Sequence, residues 1–141
     1  MRPEQQRLLR LQRLETVRAM AKRTAAREAA EAESTLKQLE TLAARTGRMI
    51  ADYSARTDVS NGEQLRQLAS FREGLNGVSR TTQSDAGRAR THADLKLAQL
   101  AEAERRRQAV EDRAKSEAQT LAQKNQQPPL GARRGFGTPL E

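Results

Sequence analysis

Apolar residues recur every three or four positions through the first third of the chain. One column of a seven-residue repeat falls at positions 11, 18, 25, 32, 39, 46 and 53, and a second at 14, 21, 28, 35, 42 and 49. Nine of these thirteen positions are apolar or aromatic. The spacing predicts one amphipathic helix over residues 4–56, roughly 80 Å long, that packs against a partner helix along most of its length.

A cluster of turn-forming residues follows at 57–62, where the chain reads Thr-Asp-Val-Ser-Asn-Gly. Ser60 followed by Glu63 fits a capping box at the start of a new helix, and Asp58 and Asn61 are alternative caps. Because short connections join antiparallel neighbours, the turn predicts a helical hairpin.

The second periodic stretch predicts a helix over residues 63–124. Its two columns fall at 65, 72, 79, 86, 93, 100, 107, 114 and 121, and at 68, 75, 82, 89, 96, 103, 110, 117 and 124. Phe71, Val78, Leu95 and Leu97 lie off these columns, so we expect the frame to drift once or twice along the helix. Glycine weakens a helix, and the segment 74–77 is therefore the expected place for a kink or a break.

Composition supports a thin helical hairpin. Hydrophobic residues make up 35% of the 141 residues and aromatic residues 2%, too few to fill a conventional core or to build a sheet. Residues 4–127 contain no proline, whereas 125–141 hold three of the four prolines and three of the eight glycines. We therefore predict an all-α fold: a hairpin domain over 1–124, two long helices in an antiparallel coiled coil, followed by a disordered tail over 125–141.

The sequence contains few residues of the types that carry out catalysis. The chain has no cysteine, one histidine (His92) that is expected to face solvent, and no phosphate-binding glycine motif. We expect no enzyme activity, no cofactor and no metal site. No apolar leader or membrane-spanning stretch is visible, which favours a cytoplasmic location.

The net charge of +8 identifies a surface for a partner. Arg105, Arg106 and Arg107 form a compact cluster, and a hairpin with its turn near residue 60 brings it toward the arginines at 7, 10, 13 and 18. Such a surface suits nucleic-acid phosphate or an acidic protein. No aromatic interleaving or DNA-binding motif accompanies it. An Arg-rich nucleic-acid-binding coiled coil and a self-associating coiled-coil scaffold therefore stay open as alternatives.

Three segments carry a resemblance to a known family. They are Leu-Leu-Arg-Leu at 8–11 leading into Ala-Ala-Arg-Glu-Ala-Ala-Glu-Ala-Glu at 25–33, Gln-Leu-Arg-Gln-Leu-Ala-Ser-Phe-Arg-Glu-Gly-Leu at 64–75, and Ala-Glu-Arg-Arg-Arg-Gln-Ala-Val-Glu-Asp-Arg-Ala at 103–114. In order, spacing and total length, the chain resembles the flagellar export protein FliJ family over about residues 5–120.

The resemblance implies a non-catalytic part of the bacterial flagellar type III export apparatus, and so a role in flagellum biogenesis, protein transport and chemotaxis. Family members form a two-helix antiparallel coiled coil similar to the stalk of rotary ATPases. The implied partners are the ring of the export ATPase, the export-gate membrane protein and export chaperones. Through these partners, a monomeric hairpin would associate peripherally with the inner face of the cell membrane.

The resemblance also implies site residues. By position, Phe71, Leu75 and Val78 correspond to the stretch that contacts the export gate. From the residues themselves, these three either form an apolar patch that the seam leaves free or pack inward after a frame shift. The best candidates for the contact with the ATPase ring are Arg105, Arg106 and Arg107; the alternative is that they are a solvated basic face.

Overall fold

Two long helices make up the fold. The computed structural model describes residues 2–56 and 60–126. Helix α1 spans Pro3–Ser54 and helix α2 spans Gly62–Gln126, and the described residues include no strand. The two helices pack against each other, which confirms the all-α helical hairpin. The predicted helix bounds were off by one or two residues, and residues 125 and 126, predicted in the tail, are the last two residues of α2. The rest of the predicted tail, 127–141, and part of the predicted turn, 57–59, lie outside the described residues.

The start of α2 is fixed by a cap that the sequence left undecided. The side-chain oxygen of Asn61 accepts a hydrogen bond from the backbone N–H of Gln64 at 2.8 Å. The Gln64 side chain reaches back and accepts hydrogen bonds from the backbone N–H and the hydroxyl of Ser60, at 3.2 and 2.6 Å. Asn61 is therefore the N-cap, and the capping box of Ser60 with Glu63 was wrong because Gln64 takes the place expected of Glu63.

On α1, one predicted column is in the seam between the helices and the other is displaced by one residue. The first column, which includes Ala25, Ala32 and Thr46, is half-buried or buried. The second seam column runs one position later than predicted, so that the positions at 14, 42 and 49 are exposed. It consists of Leu8, Glu15, Lys22, Ala29, Leu36, Ala43 and Ile50.

On α2, both predicted columns lie in the seam without interruption from Leu75 to Leu121. The expected drift of the frame was wrong, and Phe71, Val78, Leu95 and Leu97 are all exposed. The helix also continues unbroken through the segment 74–77, so no break occurs there. Gly74 and Gly77 fit within an unbroken helix because neither has a positive φ.

The interior of the seam is made of small side chains. Among residues 2–56 and 60–126, the buried residues are four alanines and two threonines, and no large side chain is fully buried. Each alanine removes little apolar surface from water, so each layer contributes far less than a buried leucine would. The helices therefore depend on many small contacts and on charged pairs at the edges of the seam. The buried residues are Ala29, Ala32, Thr46, Thr82, Ala93 and Ala114.

The chain divides into two compact units. The terminal unit combines the start of α1, up to Arg23, with α2 from Ala101 onward, and the turn unit covers Thr24–Leu100. In the terminal unit, ion pairs join Glu4 to Lys124 at 2.7 Å and Lys22 to Glu104 at 2.8 Å. These pairings show that the helices run antiparallel within this unit.

In the turn unit, two ion pairs show the same arrangement. Lys96 donates a hydrogen bond to Glu28 at 3.1 Å, and Arg90 donates one to Glu40 at 2.5 Å. Glu40 comes later on α1 than Glu28, but its partner Arg90 comes earlier on α2 than Lys96. The two helices are therefore antiparallel here as well.

Candidate partner-binding surfaces

The predicted ATPase contact, Arg105 to Arg107, does not form a single basic surface. Arg105 and Arg106 are largely exposed, and both donate hydrogen bonds to the carboxylate of Glu102, at 2.6 to 3.1 Å. These two guanidinium groups hold the pKa of Glu102 below its usual value, chiefly through the hydrogen bond from Arg105. One nearby carboxylate thus offsets part of the positive charge that the two arginines present.

Arg107 occupies a different environment, at a seam position. Its side chain is only 23% exposed, and its guanidinium donates hydrogen bonds to Glu104 and Glu111. Glu104 also receives Lys22 from α1. Hydrogen bonds from Arg107 and Lys22 lower the pKa of Glu104 to about 2, and the pKa of Arg107 is raised in return. Arg107 therefore joins Glu104 and Glu111, which lie about one turn before and after it on α2. Glu104 in turn forms the interhelical ion pair with Lys22.

Most of the excess positive charge of the terminal unit lies on α1. The described part of this unit contains thirteen lysines and arginines but only seven aspartates and glutamates. Only two of these acidic residues, Glu4 and Glu15, belong to α1. Within the described residues, Arg10, Arg13 and Arg23 are exposed and make no ion pair. Sequence reasoning placed the partner contact on Arg105–Arg107 because that cluster is contiguous. Counting carboxylates within one helical turn would have pointed to α1.

The predicted gate-contact residues divide between the seam and the surface. Phe71 and Val78 are 43% and 47% exposed, whereas Leu75 is half-buried at a seam position. The alternative in which all three pack inward is therefore not what the structure shows. Two apolar side chains two turns apart are left on one side of α2, with Leu75 anchoring the helix between them.

Phe71 is held in place by a contact with α1. Its ring lies 4.6 Å from the ring of Tyr53, centroid to centroid, with the planes inclined at 55°. The guanidinium of Arg56 lies 4.6 Å from the centroid of the same tyrosine ring. Tilted aromatic pairs and cation–π contacts of this kind are favourable. Phe71 thus contacts α1 through Tyr53 while its side chain stays 43% exposed.

Two apolar residues of α1 join the exposed set and were missed. Leu42 and Met49 were expected in the seam but are 42% and 37% exposed, because the second seam column runs through their neighbours Ala43 and Ile50. No pattern in α1 alone distinguishes the two placements. Both keep a seven-residue repeat, and only packing against α2 selects one.

His92 lines a groove with residues of both helices, among them Glu28, Thr35 and Lys96. Over residues 2–56 and 60–126, no group of histidines and carboxylates is arranged to hold a metal ion. Neither described helix has a stretch that is long and apolar enough to cross a membrane. A scan against protein-family models, a search of curated proteins and a search of solved structures each find no match to the chain.

Proposed function

We propose that this chain is a non-catalytic component of the bacterial flagellar type III export apparatus, acting as a stalk or adaptor between the export ATPase ring and the export gate. The observation that carries the proposal is the exposure of Phe71 and Val78 at the positions where the FliJ resemblance puts the gate contact. Exposed apolar residues that lie near each other on one helix are typical of a surface that binds a protein. The helical hairpin supports the same assignment because it is the fold that the resemblance implies.

For the ATPase ring, the terminal unit supplies the basic surface. Arg105 and Arg106 stay the proposed contacts because their side chains are largely exposed. Arg107 supports them from within α2, because it pairs with Glu104 and Glu111 of the same helix and Glu104 in turn pairs with Lys22 of α1. A ring that presents carboxylates would attract such a surface and position it by charge.

The remaining parts of the proposal follow from the role. The chain would work in the cytoplasm as a monomeric hairpin, held at the inner face of the membrane through the gate, and export chaperones would be further partners. The absence of a spanning stretch in either described helix is compatible with this location. Gene neighbourhood offers an independent test: an adjacent gene for a Walker-type ATPase in a flagellar or secretion context would support the proposal, and a neighbourhood without secretion genes would count against it.

The gate contact is tested by binding of the full chain to the purified cytoplasmic part of the export-gate membrane protein. Phe71→Ser with Val78→Ser should weaken binding about tenfold or more, because two apolar contacts are lost. The matched control is Leu95→Ser with Leu97→Ser, which removes two exposed apolar residues of the same helix. Equal affinities for the two double variants would reject Phe71 and Val78 as the contact.

The ring contact is tested by stimulation of the export ATPase. Arg105→Glu with Arg106→Glu should reduce stimulation without changing the helix content of the chain. Arg80→Glu with Arg88→Glu is the control, since it reverses the same charge on exposed residues of α2 in the turn unit. If stimulation is unchanged by the first pair, the terminal arginines of α2 are not the contact.

A nucleic-acid-binding function is the second candidate, and the free arginines of α1 are what favour it. Arg10, Arg13 and Arg23 are exposed without an ion pair in the described part of the chain. Binding to duplex DNA that falls steeply with salt, and that is lost on Arg10→Glu with Arg13→Glu, would support this candidate. A solution mass of twice the chain's 15.7 kDa would instead indicate the self-associating scaffold.

A further inference from the structure

In the terminal unit, the side of α1 that faces away from α2 combines arginines with large apolar side chains. Three columns of the seven-residue repeat lie furthest from the seam and cover about 100° of the helix circumference. They hold positions 2, 9, 16 and 23, positions 3, 10 and 17, and positions 6, 13 and 20, all of them exposed. These positions are the outer face of α1, and its large residues are Arg2, Leu9, Arg10, Arg13, Val17, Met20 and Arg23.

The apolar residues of the outer face are well exposed. Val17 and Met20 are 58% and 61% exposed, more than any other large apolar residue of the described ranges, and Leu9 is 38% exposed. From Leu9 to Met20 the helix rises about 16 Å. Because the three side chains share one side of the helix, a flat surface can contact all of them at once.

Within the terminal unit, the outer face carries no acidic residue. The two carboxylates of α1 in this unit lie toward α2: Glu4 pairs with Lys124, and Glu15 occupies a seam column. The first acidic residue of the outer columns, Glu31, comes further along α1, in the turn unit. The acidic residues of α2 in the terminal unit all have partners on α2 or across the seam; they are Glu102, Glu104, Glu111, Asp112 and Glu117.

The apolar side chains among the arginines distinguish between anionic partners. Nucleic-acid phosphates would bind the arginines but would leave Val17 and Met20 in water, and the outer face has no aromatic side chain on which a base could stack. A protein partner would need a groove shaped to one convex helix. A fluid lipid surface accommodates both kinds of side chain, because apolar groups enter below the headgroups while guanidinium groups stay level with the phosphates.

We propose that the outer face of α1 binds the surface of an anionic phospholipid bilayer, with the helix lying in the plane of the membrane. Leu9, Val17 and Met20 enter the boundary between headgroups and acyl chains. Arg10, Arg13 and Arg23, which make no ion pair within the described residues, bind the lipid phosphates. The inference goes beyond the proposed function, in which the chain is held at the membrane through the gate, and it does not depend on any gate protein.

Co-sedimentation of the full chain with lipid vesicles tests the inference. Vesicles of phosphatidylcholine and phosphatidylglycerol in equal parts should bind the chain, vesicles of phosphatidylcholine alone should not, and salt should weaken the binding. Arg10→Glu with Arg13→Glu should lower the partition coefficient by about tenfold or more. Arg80→Glu with Arg88→Glu is the control, since it makes the same charge change on exposed residues of α2 in the turn unit.

A second pair of variants separates lipid from the other anionic partners. Val17→Gln with Met20→Gln keeps the helix propensity and removes apolar side chains, so vesicle binding should fall about tenfold while any binding to duplex DNA is unchanged. Leu65→Gln with Leu95→Gln, at residues of similar exposure on α2, is the control. Vesicle binding that is equal for the first pair and the unaltered chain would overturn the inference, because charge alone would then account for it.

Binding to duplex DNA or to polyglutamate without binding to the anionic vesicles would also overturn it, in favour of a nucleic-acid or an acidic protein partner, and would leave the gate contact to its own test. Insertion has a direct readout, because the chain has no tryptophan and Met20→Trp supplies a single fluorescent reporter. Its emission should shift to shorter wavelength when anionic vesicles are added, whereas that of Leu65→Trp should not. Unchanged emission from Met20→Trp would contradict insertion.

Discussion

The ring of Tyr53 on α1 packs against the ring of Phe71 on α2, with centroids 4.6 Å apart and planes inclined at 55°. This aromatic pair joins the two helices in the part of the turn unit where α1 ends and α2 begins. Because the chain has only three aromatic residues, the pair uses most of its aromatic content for one contact.

The first prediction concerns this pair. In a double-mutant cycle with Tyr53→Leu and Phe71→Leu, we expect a coupling free energy of about 0.5–1.5 kcal/mol, because leucine keeps apolar area but removes the ring geometry. Urea denaturation of the four proteins measures it. A cycle pairing Tyr53→Leu with Leu95→Ala serves as control and should give no coupling; equal values in both cycles would contradict the contact.

The second prediction concerns Gly74 and Gly77, which lie inside α2 with open space where a Cβ would be. Replacing either by alanine should raise the free energy of unfolding by about 0.5–1 kcal/mol, because alanine restricts the unfolded chain and costs nothing in the helix. Gly62→Ala, at the first residue of α2, should change stability less. Unchanged stability on alanine substitution at both 74 and 77 would mean that this stretch is not helical in solution.

The third prediction concerns Arg18, which occupies a seam position on α1. Its Nε is buried and has no hydrogen-bond partner among the described residues. Arg18→Leu should stabilise the chain by about 1 kcal/mol, since it removes an unsatisfied buried donor and adds apolar area to the seam. Arg13→Leu, on the exposed side of the same helix, should stay within about 0.5 kcal/mol of the unaltered chain. Loss of stability on Arg18→Leu would show that the guanidinium has a stabilising partner in solution.

The fourth prediction concerns pH. Because Arg107 and Lys22 lower the pKa of Glu104 to about 2, from an ordinary value of 4.5, its ionised form is favoured in the folded chain. The stability from this group is complete above pH of about 4.5 and is lost as the pH falls toward 2. Thermal melts of the unaltered chain and Glu104→Gln should therefore converge across that interval. Glu33→Gln, at an exposed position without an ion pair in the described ranges, is the control and should parallel the unaltered chain; a constant gap for Glu104→Gln would contradict the assignment.

The fifth prediction concerns the cap of α2. Asn61→Ala should lower the free energy of unfolding by about 1 kcal/mol, because the N–H of Gln64 loses the oxygen that accepts its hydrogen bond. Asn61→Asp keeps an acceptor at the same place and should differ by only a few tenths. A similar loss for both variants would assign the cap to another residue.

The seven-residue periodicity of the apolar residues predicted most of the fold. The columns of α2 were predictable because apolar residues such as Leu68, Leu100 and Leu121 fit one frame. The apolar residues outside that frame led us to expect a drift, and the structure instead leaves them exposed. The second column of α1 was not predictable, since Leu42 and Ala43 both continue a seven-residue repeat and the choice depends on packing against α2.

The candidate surfaces were predictable only in part. Phe71 and Val78 lie outside both columns, and the sequence left open whether they form a free patch or pack inward after a frame shift; the structure shows both exposed. The engagement of Arg107 was not foreseeable in the same way. It depends on two carboxylates, Glu104 and Glu111, within reach of one guanidinium, and on Lys22 of α1 pairing with Glu104. Sequence spacing alone does not select the rotamers that bring these groups together.

The alanine-rich interior has a consequence for how the helices keep their alignment. In the turn unit, Ala29, Ala32 and Ala93 are nearly interchangeable as packing units, so sliding one helix past the other by a heptad would replace small contacts with other small contacts. Charged pairs such as Glu28 with Lys96 have no such equivalents one heptad away. The alignment of the two helices in the turn unit therefore depends more on these charged pairs and on the contact between Tyr53 and Phe71 than on the alanine packing. A change that removes these few specific contacts would let the helices shift along each other without unfolding either one.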